Sequence, residues 1–215
     1  MNAFDLSLYL VTDRSLSLGR PLAYIVEEAV KGGVTMVQLR EKNCSSKTFY
    51  ELAIRLRNCL KPHHVPLIIN DRLDIALACD ADGLHIGQHD IPCRIARKLL
   101  GKRKLIGLSV ESRQDAIDAN ALDVDYIGIS PVFSTSTKRD TAAPLGLDGV
   151  REIMQLSKHP GVGIGGITLD NAAEIIRSGA DGISVVSAVM SAADPLLAAS
   201  RLAAIVEYAK KNITI

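Results

Sequence analysis

The sequence contains no tryptophan, and its other aromatic residues are five tyrosines and three phenylalanines. Proteins that hold single-stranded nucleic acid stack its bases on aromatic side chains, so the scarcity argues against that mode of binding. An excess of one charge is missing as well: 25 basic residues stand against 24 acidic ones, for a net charge of +1. No bulk field draws in nucleic acid or anionic lipid, and any positive site must be local. Cysteine is sparse: Cys44, Cys59, Cys79 and Cys93 form no CxxC pair, and no histidine stands at zinc-motif spacing. They read as reduced thiols in a cytoplasmic protein rather than as a disulfide framework. The start, MNAFDLSLYLVTD, lacks the basic segment and long apolar core of a secretion signal. The longest apolar stretch, ISVVSAVMSAA, is too short and too broken by serine to cross a bilayer, which takes about 20 residues. Neither nucleic acid nor a membrane is expected as a partner.

What is present is a strict alternation of two periods. LSLYLVTD reads as a strand; Leu22, Ile25, Val26, Ala29 and Val30 then fall on one face of a helix that Gly32 and Gly33 stop. TMVQLREK is the next strand, and Phe49, Leu52, Ala53, Leu56 and Leu60 mark the next helix. VPLIIND, GLHIGQ, KLIGLSV, YIGISPVF, GVGIGGI and GISVVSAV follow as strands, with helical segments between them and a last helix from about Pro195 to Lys211. Eight strands and eight helices in alternation imply a parallel sheet with crossover helices. The chain is expected to be α/β, a single-domain (β/α)8 TIM barrel over 1–215, with a doubly wound sheet as the rival. An internal echo favours the barrel: CDADG precedes LHIG, SGADG precedes ISVV and LDVDY precedes IGIS. Asp82 and Asp181 of that echo stand at strand starts, the stability face of a barrel, and receive no chemical role.

Barrel chemistry collects at the C-terminal ends of the strands. Those ends hold Thr12 and Asp13; Gln38, Arg40, Glu41 and Lys42; Asn70 and Asp71; Gln88 and Asp90; Ser109; Gly165 and Gly166; and Ser187. Adjacent strands lie about 4.8 Å apart, so Asp71 and Asp90, closing neighbours, can converge on one ion. Magnesium takes hard oxygen ligands, commonly one or two carboxylates with substrate phosphates and waters. The bland alternative is that each aspartate caps the helix that follows it. Gln38, Arg40 and Lys42 share one side of an extended strand, and a guanidinium beside an ammonium suits a diphosphate. An ordinary solvated strand end is the alternative.

GIGGI (163–167) precedes a helix, where backbone N–H groups can approach a phosphate, although glycine also serves close packing. Loops after strands seven and eight of a barrel often form a phosphate site. In the polar loop STSTKRD, Thr135, Ser136, Thr137 and Lys138 can fold over an anion, or the loop can be plain surface. His63 and His64 end a helix, where positive side chains suit the dipole. His85 reads as a satisfied core histidine. No Ser-His-Asp order, Walker loop or first-strand GxGxxG occurs. Composition and spacing reach two facing anion sites, one metal-assisted on strands two to four and one on strands seven and eight, and no further.

In order, YLVTD, VQLREK, IINDRLDIAL, DADGLHIGQHDIP, IGLSV, DYIGISPVFSTSTKRD, GIGGITLDNA and GADGISVVSAV resemble the thiamine-phosphate synthase family over nearly the whole chain. The resemblance implies a transferase that joins hydroxymethylpyrimidine diphosphate to thiazole phosphate, giving thiamine phosphate and diphosphate. It implies that Gln38, Arg40, Glu41, Lys42, Asn70, Ser109 and Lys138 bind the pyrimidine diphosphate. It implies that Asp71 and Asp90 hold Mg2+. The thiazole phosphate would be held by Thr135, Ser136, Thr137, Gly166, Val186 and Ser187, largely through backbone groups for the last three. Catalysis is expected of Arg40, Lys42 and Lys138, stabilising a diphosphate that leaves before the thiazole nitrogen attacks. Two departures are Ser130, where many relatives have glycine, and Ser134, where proline is usual. The rivals are a thiazole tautomerase, which needs an acid/base at the strand-six end where Ser130, Pro131 and Val132 stand; a non-catalytic carrier; and an unrelated sugar-phosphate barrel. Assembly into a homo-oligomer is left open.

Overall fold

Eight short runs, each of four to six residues and each almost wholly buried, close on one another as parallel strands. They are β1 Leu8–Val11, β2 Met36–Leu39, β3 Leu67–Asn70, β4 Gly83–Ile86, β5 Leu105–Val110, β6 Tyr126–Ile129, β7 Gly161–Ile164 and β8 Gly182–Val185. The computed structural model describes residues 4–135 and 143–212. Strand order runs β1 to β8 in sequence, and β8 pairs back on β1 through Tyr9 and Ser184. The expected (β/α)8 TIM barrel is the fold, and the doubly wound rival is excluded by that closing pair. Burial on both faces explains why the strands read as continuous apolar runs rather than as alternation.

Between the strands lie α1 Leu22–Lys31, α2 Ser46–Leu60, α3 Leu73–Ala78, α4 Cys93–Leu100, α5 Arg113–Ala119, α6 Gly146–Leu156 and α7 Ala172–Arg177. After β8 come two helices, α8 Ser187–Met190 and α9 Pro195–Lys211. The expectation of eight helices therefore falls short by α8 among the described residues; one turn is too brief to set up a periodic pattern. Arg20 explains its place: Nη1 donates to the Ala192 carbonyl at 2.7 Å and Nη2 to the Met190 carbonyl at 2.8 Å, tying the end of α8 to the β1–α1 connection. The face of α1 is the one the sequence predicts, with Leu22, Ile25, Val26, Ala29 and Val30 buried. Asp194 caps α9, accepting from the Leu197 N–H at 2.9 Å, and Pro195 takes the first helical position, where its missing N–H loses nothing.

Two apolar layers result. The larger fills the space between barrel and helices; truncating a member such as Ile25 to alanine typically costs about 2–5 kcal/mol. The smaller plugs the barrel itself from below and contains Leu6, Tyr9, Met36, Ile68, Tyr126 and Val162. Above that plug the inward residues turn polar, which leaves the upper barrel open for a site.

The internal echo has a structural cause. The residue just before each even-numbered strand accepts the backbone N–H at the start of the preceding odd-numbered strand. Asp82 takes Leu67 at 2.9 Å, Asp125 takes Ile106 at 2.8 Å and Asp181 takes Gly161 at 2.8 Å. Thr35 does the same for Leu8 at 3.1 Å. An N–H at the lower rim has no ladder partner of its own, so a side-chain acceptor is needed there. Asp125 is also held by Arg97, whose Nη2 donates to it at 2.6 Å. No helix among the described residues is long and apolar enough to cross a membrane.

Candidate active site

The upper rim opens into a cavity of about 770 Å³. Gln38, Arg40, Lys42, Asn70, Asp71, Asp90, Ser109, Thr135, Gly166, Val186 and Ser187 all line it. So the strand ends converge as expected. Ser136, Thr137 and Lys138 lie outside the described residues.

Glu41 stands apart from the cavity-lining group. It does not line the cavity; both its carboxylate oxygens accept from Arg14, from Nε and Nη2, at 2.7 Å each. Its side chain is only 5% exposed. Alternation along the extended chain turns Glu41 away from the side that carries Arg40 and Lys42. Its pairing with Arg14 joins the β1 and β2 strand ends.

Asp71 and Asp90 do face one another. Neither caps a helix: Arg72 and Pro92 occupy the N-cap positions of α3 and α4. Asp71 has φ +59°, a left-handed conformation uncommon outside glycine, although aspartate tolerates it better than most residues. Its Oδ2 accepts from Lys42 Nζ at 2.5 Å, and its backbone N–H donates to the His85 carbonyl at 2.9 Å. Asp90 Oδ2 accepts from the Gly87 N–H at 2.7 Å. Burial pushes the Asp90 carboxyl above its usual range; the nearby Asp71 charge adds to the rise, while the Gly87 N–H and Lys42 oppose it. Two carboxylates this close beside a lysine form a hard, oxygen-rich pair. That donor set fits a divalent cation such as magnesium. No group of three or more histidine, cysteine or acidic residues suited to a metal occurs among the described residues, so an ion here would take its other ligands from substrate and water.

Arg40 stands beside this pair. Its N–H donates to Thr12 Oγ1 at 3.2 Å, and its Nη1 lies 3.7 Å from Asp13 Oδ2. Asp13 itself accepts from the Ser15 N–H and hydroxyl at 2.9 and 2.6 Å. Asp13 thus lies within ion-pair distance of the Arg40 guanidinium, and Arg40 lines the cavity.

Across the cavity, Gly165 and Gly166 have φ +104° and +64°. A Cβ on Gly166 would sit 2.6 Å from the Ser134 carbonyl and one on Gly165 2.9 Å from Pro131. Glycine is required here by close approach of the loop after β6, which is stitched on by Val132 N–H to the Ile164 carbonyl at 2.8 Å and Phe133 N–H to the Gly165 carbonyl at 3.0 Å. The packing role and the ligand-facing role coexist, since both glycines also line the cavity. Ser187 opens α8, whose first N–H groups have no partner within the helix.

The floor holds what sequence reasoning missed. Gln38 Nε2 donates to the Tyr9 hydroxyl at 2.8 Å, the Tyr9 and Tyr126 hydroxyls are 2.8 Å apart, the Tyr126 hydroxyl is 3.1 Å from His85 Nδ1, and His85 Nε2 is 3.0 Å from Ser109 Oγ. Five residues from five strands form one buried chain. His85 is satisfied, as expected, yet it also lines the cavity. A signal existed in the sequence: Gly107 faces this chain, and a Cβ there would meet the Tyr126 ring at 2.2 Å.

A family model described as thiamine monophosphate synthase matches residues 8–189. The chain belongs to that family. The thiamine-phosphate synthase of Syntrophomonas wolfei subsp. wolfei is 56% identical over 190 residues, spanning 88% of this chain and 91% of its own. That of Albidiferax ferrireducens is 50% identical over 202 residues, spanning 94% and 92%. Among solved structures, a thiamine phosphate pyrophosphorylase from Pyrococcus furiosus superposes with a TM-score of 0.87 at 40% identity, covering 95% of this chain and 96% of that one. As a member of the thiamine monophosphate synthase family, this chain is an enzyme of the transferase class.

Proposed function

We propose that this enzyme joins hydroxymethylpyrimidine diphosphate to thiazole phosphate, releasing diphosphate and forming thiamine phosphate, within one barrel domain of a cytoplasmic protein. One observation carries this beyond family membership. Asp71 and Asp90, with Arg40 and Lys42, gather on one side of a single cavity, and the Gly165–Gly166 and Val186–Ser187 backbone lines the other. Two anionic substrates fit such a division, with the diphosphate on the charged side and the monophosphate at the glycine turn and the start of α8.

Asp71 and Asp90 would hold Mg2+ in this reading. A bound Mg2+ supplies Lewis-acid neutralisation of charge on the leaving diphosphate. Arg40 and Lys42 act on the same charge as preorganised donors, and the Arg40 guanidinium is already oriented by Asp13. Lys42, which donates to Asp71, is drawn to diphosphate oxygens once they arrive. Lys138, with Thr135, Ser136 and Thr137, supplies further donors to the substrate phosphates. The diphosphate departs first, leaving a resonance-stabilised pyrimidine-methyl cation, and the thiazole nitrogen then attacks that carbon. No protein nucleophile is needed. Asn70 and Ser109 complete the pyrimidine side of the cavity.

The test is a single incubation of both half-substrates, with Mg2+ and with chelator, following diphosphate and thiamine phosphate together. Equal amounts of both products with Mg2+, and neither in chelator, are expected. Diphosphate release without thiamine phosphate, or undiminished turnover in chelator, overturns the proposal.

A further inference from the structure

We propose that Tyr9 and Tyr126 are positioning residues that set the hydrogen-bond polarity of the cavity floor, so that Ser109 offers its hydroxyl hydrogen and Gln38 its carbonyl oxygen to a neutral aminopyrimidine ring. This rests on the pyrimidine substrate proposed above and says how the same cavity selects it.

The polarity begins at Gln38. Its Nε2 is a donor only, so the Tyr9 oxygen accepts. Tyr9 must then place its own hydrogen, and in its buried setting the Tyr126 oxygen is 2.8 Å away. Tyr126, having accepted, directs its hydrogen to His85 Nδ1 at 3.1 Å. A ring nitrogen that accepts leaves the proton of neutral imidazole on the other one, so Nε2–H points at Ser109 Oγ, 3.0 Å away. Ser109, having accepted, turns its own hydrogen elsewhere, and it lines the cavity. Run in the opposite sense, the chain fails at its start. Tyr126 would donate to a Tyr9 oxygen that already accepts from Gln38, and the Tyr9 hydrogen would be stranded in the plug of the barrel, a condition folded proteins avoid. Burial raises the proton affinity of both phenols, so both hydrogens stay in place at any working pH.

The surrounding backbone is shaped for this chain. A Cβ on Gly107 would lie 2.2 Å from the Tyr126 ring and 2.5 Å from His85 Nδ1, and one on Gly128 would lie 3.2 Å from His85 Cε1. The Tyr9 and Tyr126 rings meet edge to face, with centroids 5.9 Å apart and planes at 77°, an arrangement that fixes both hydroxyls in direction. The floor therefore presents a donor at Ser109 and, with the Gln38 amide held in one orientation by Tyr9, an acceptor at the Gln38 carbonyl beside the second hydrogen of its amide nitrogen. An aminopyrimidine answers both: a ring nitrogen accepts and the exocyclic amine donates. A ring with a carbonyl in place of the amine meets Gln38 acceptor to acceptor and is refused, because a site built for one hydrogen-bond pattern is left unpaired by the other.

Two readouts test this. In ligand-free protein labelled with 15N-histidine, with the His85 resonance assigned by comparison with His85→Gln, His85 is expected as the neutral Nε2–H tautomer. Tyr126→Phe is expected to lose that preference. In steady state, Tyr126→Phe raises KM for the pyrimidine diphosphate about tenfold and leaves KM for the thiazole phosphate within about twofold; Tyr9→Phe acts in the same direction with smaller size. An Nδ1–H tautomer in the wild type overturns the proposal, and so does a Tyr126→Phe protein that folds normally and shifts both KM values alike. If the wild type turns over no pyrimidine diphosphate, the proposed function fails, while the His85 tautomer still decides the polarity.

Discussion

Aspartate does opposite work at the two rims of this barrel. At the lower rim Asp82, Asp125 and Asp181 each accept a backbone N–H at a strand start, and Arg97 braces Asp125. At the upper rim Asp71 and Asp90 face each other, and Asp90 is pushed toward its protonated form by burial and by the Asp71 charge. The first arrangement closes donors that the ladder leaves open and so stabilises the fold. The second sets two carboxylates close together beside Lys42, and burial with the neighbouring Asp71 charge raises the proton affinity of Asp90. An acid matched to the backbone is part of the frame; an acid set beside another acid on a cavity wall marks a candidate functional site.

Breaking the comparison at the upper rim has the largest effect. Asp71→Ala and Lys138→Ala are each expected to lower kcat/KM by at least about 10²–10³-fold under saturating Mg2+, with thermal midpoints little changed. Near-normal turnover in both contradicts the assigned roles. At the lower rim the pattern inverts: Asp181→Ala removes a hydrogen bond to a carboxylate worth about 1.5–3 kcal/mol, lowers the thermal midpoint by several degrees and leaves kcat of the folded enzyme unaltered. A midpoint equal to wild type means that the Gly161 N–H finds another partner.

A subtler break is Asp90→Asn, melted without divalent cations. The Asp90 pKa is higher in the folded chain than in the unfolded one, so above about pH 4 the folded chain binds more protons over the window up to the raised value. Stability from this residue falls as pH rises through that window. The variant is therefore expected to melt above wild type by a margin that widens from acid to neutral pH, and a constant margin contradicts a raised Asp90 pKa. The smallest effect is at Glu41, where Glu41→Gln is expected to keep turnover within about twofold, since its partner is Arg14 and not the substrate. A large rise in KM restores Glu41 to the binding site.

The barrel was legible because each element declared itself locally. The α1 face Leu22, Ile25, Val26, Ala29 and Val30 follows from a period of 3.6, and the DADG and GADG echoes mark strand starts that the Asp82 and Asp181 hydrogen bonds explain. The strand ends announced the upper rim because polar residues interrupt apolar runs there. The pairing of Glu41 with Arg14 was not legible because the two lie across a strand pair, and pairing of loops is not written in periodicity. The floor chain was hidden for a similar reason: Tyr9 and Tyr126 look like ordinary strand aromatics until closure of the barrel brings β1 and β6 face to face. Helix α8 escaped notice because a single turn carries no repeat.

The most direct measurement is calorimetric titration of Mg2+ together with inorganic diphosphate into three proteins: wild type, Asp71→Ala/Asp90→Ala and Asp82→Asn. Comparable binding to wild type and Asp82→Asn, with at least a tenfold loss in the upper-rim double variant, is the expected result. Equal affinity in the double variant and the wild type contradicts the assignment of the cation to that pair of acids.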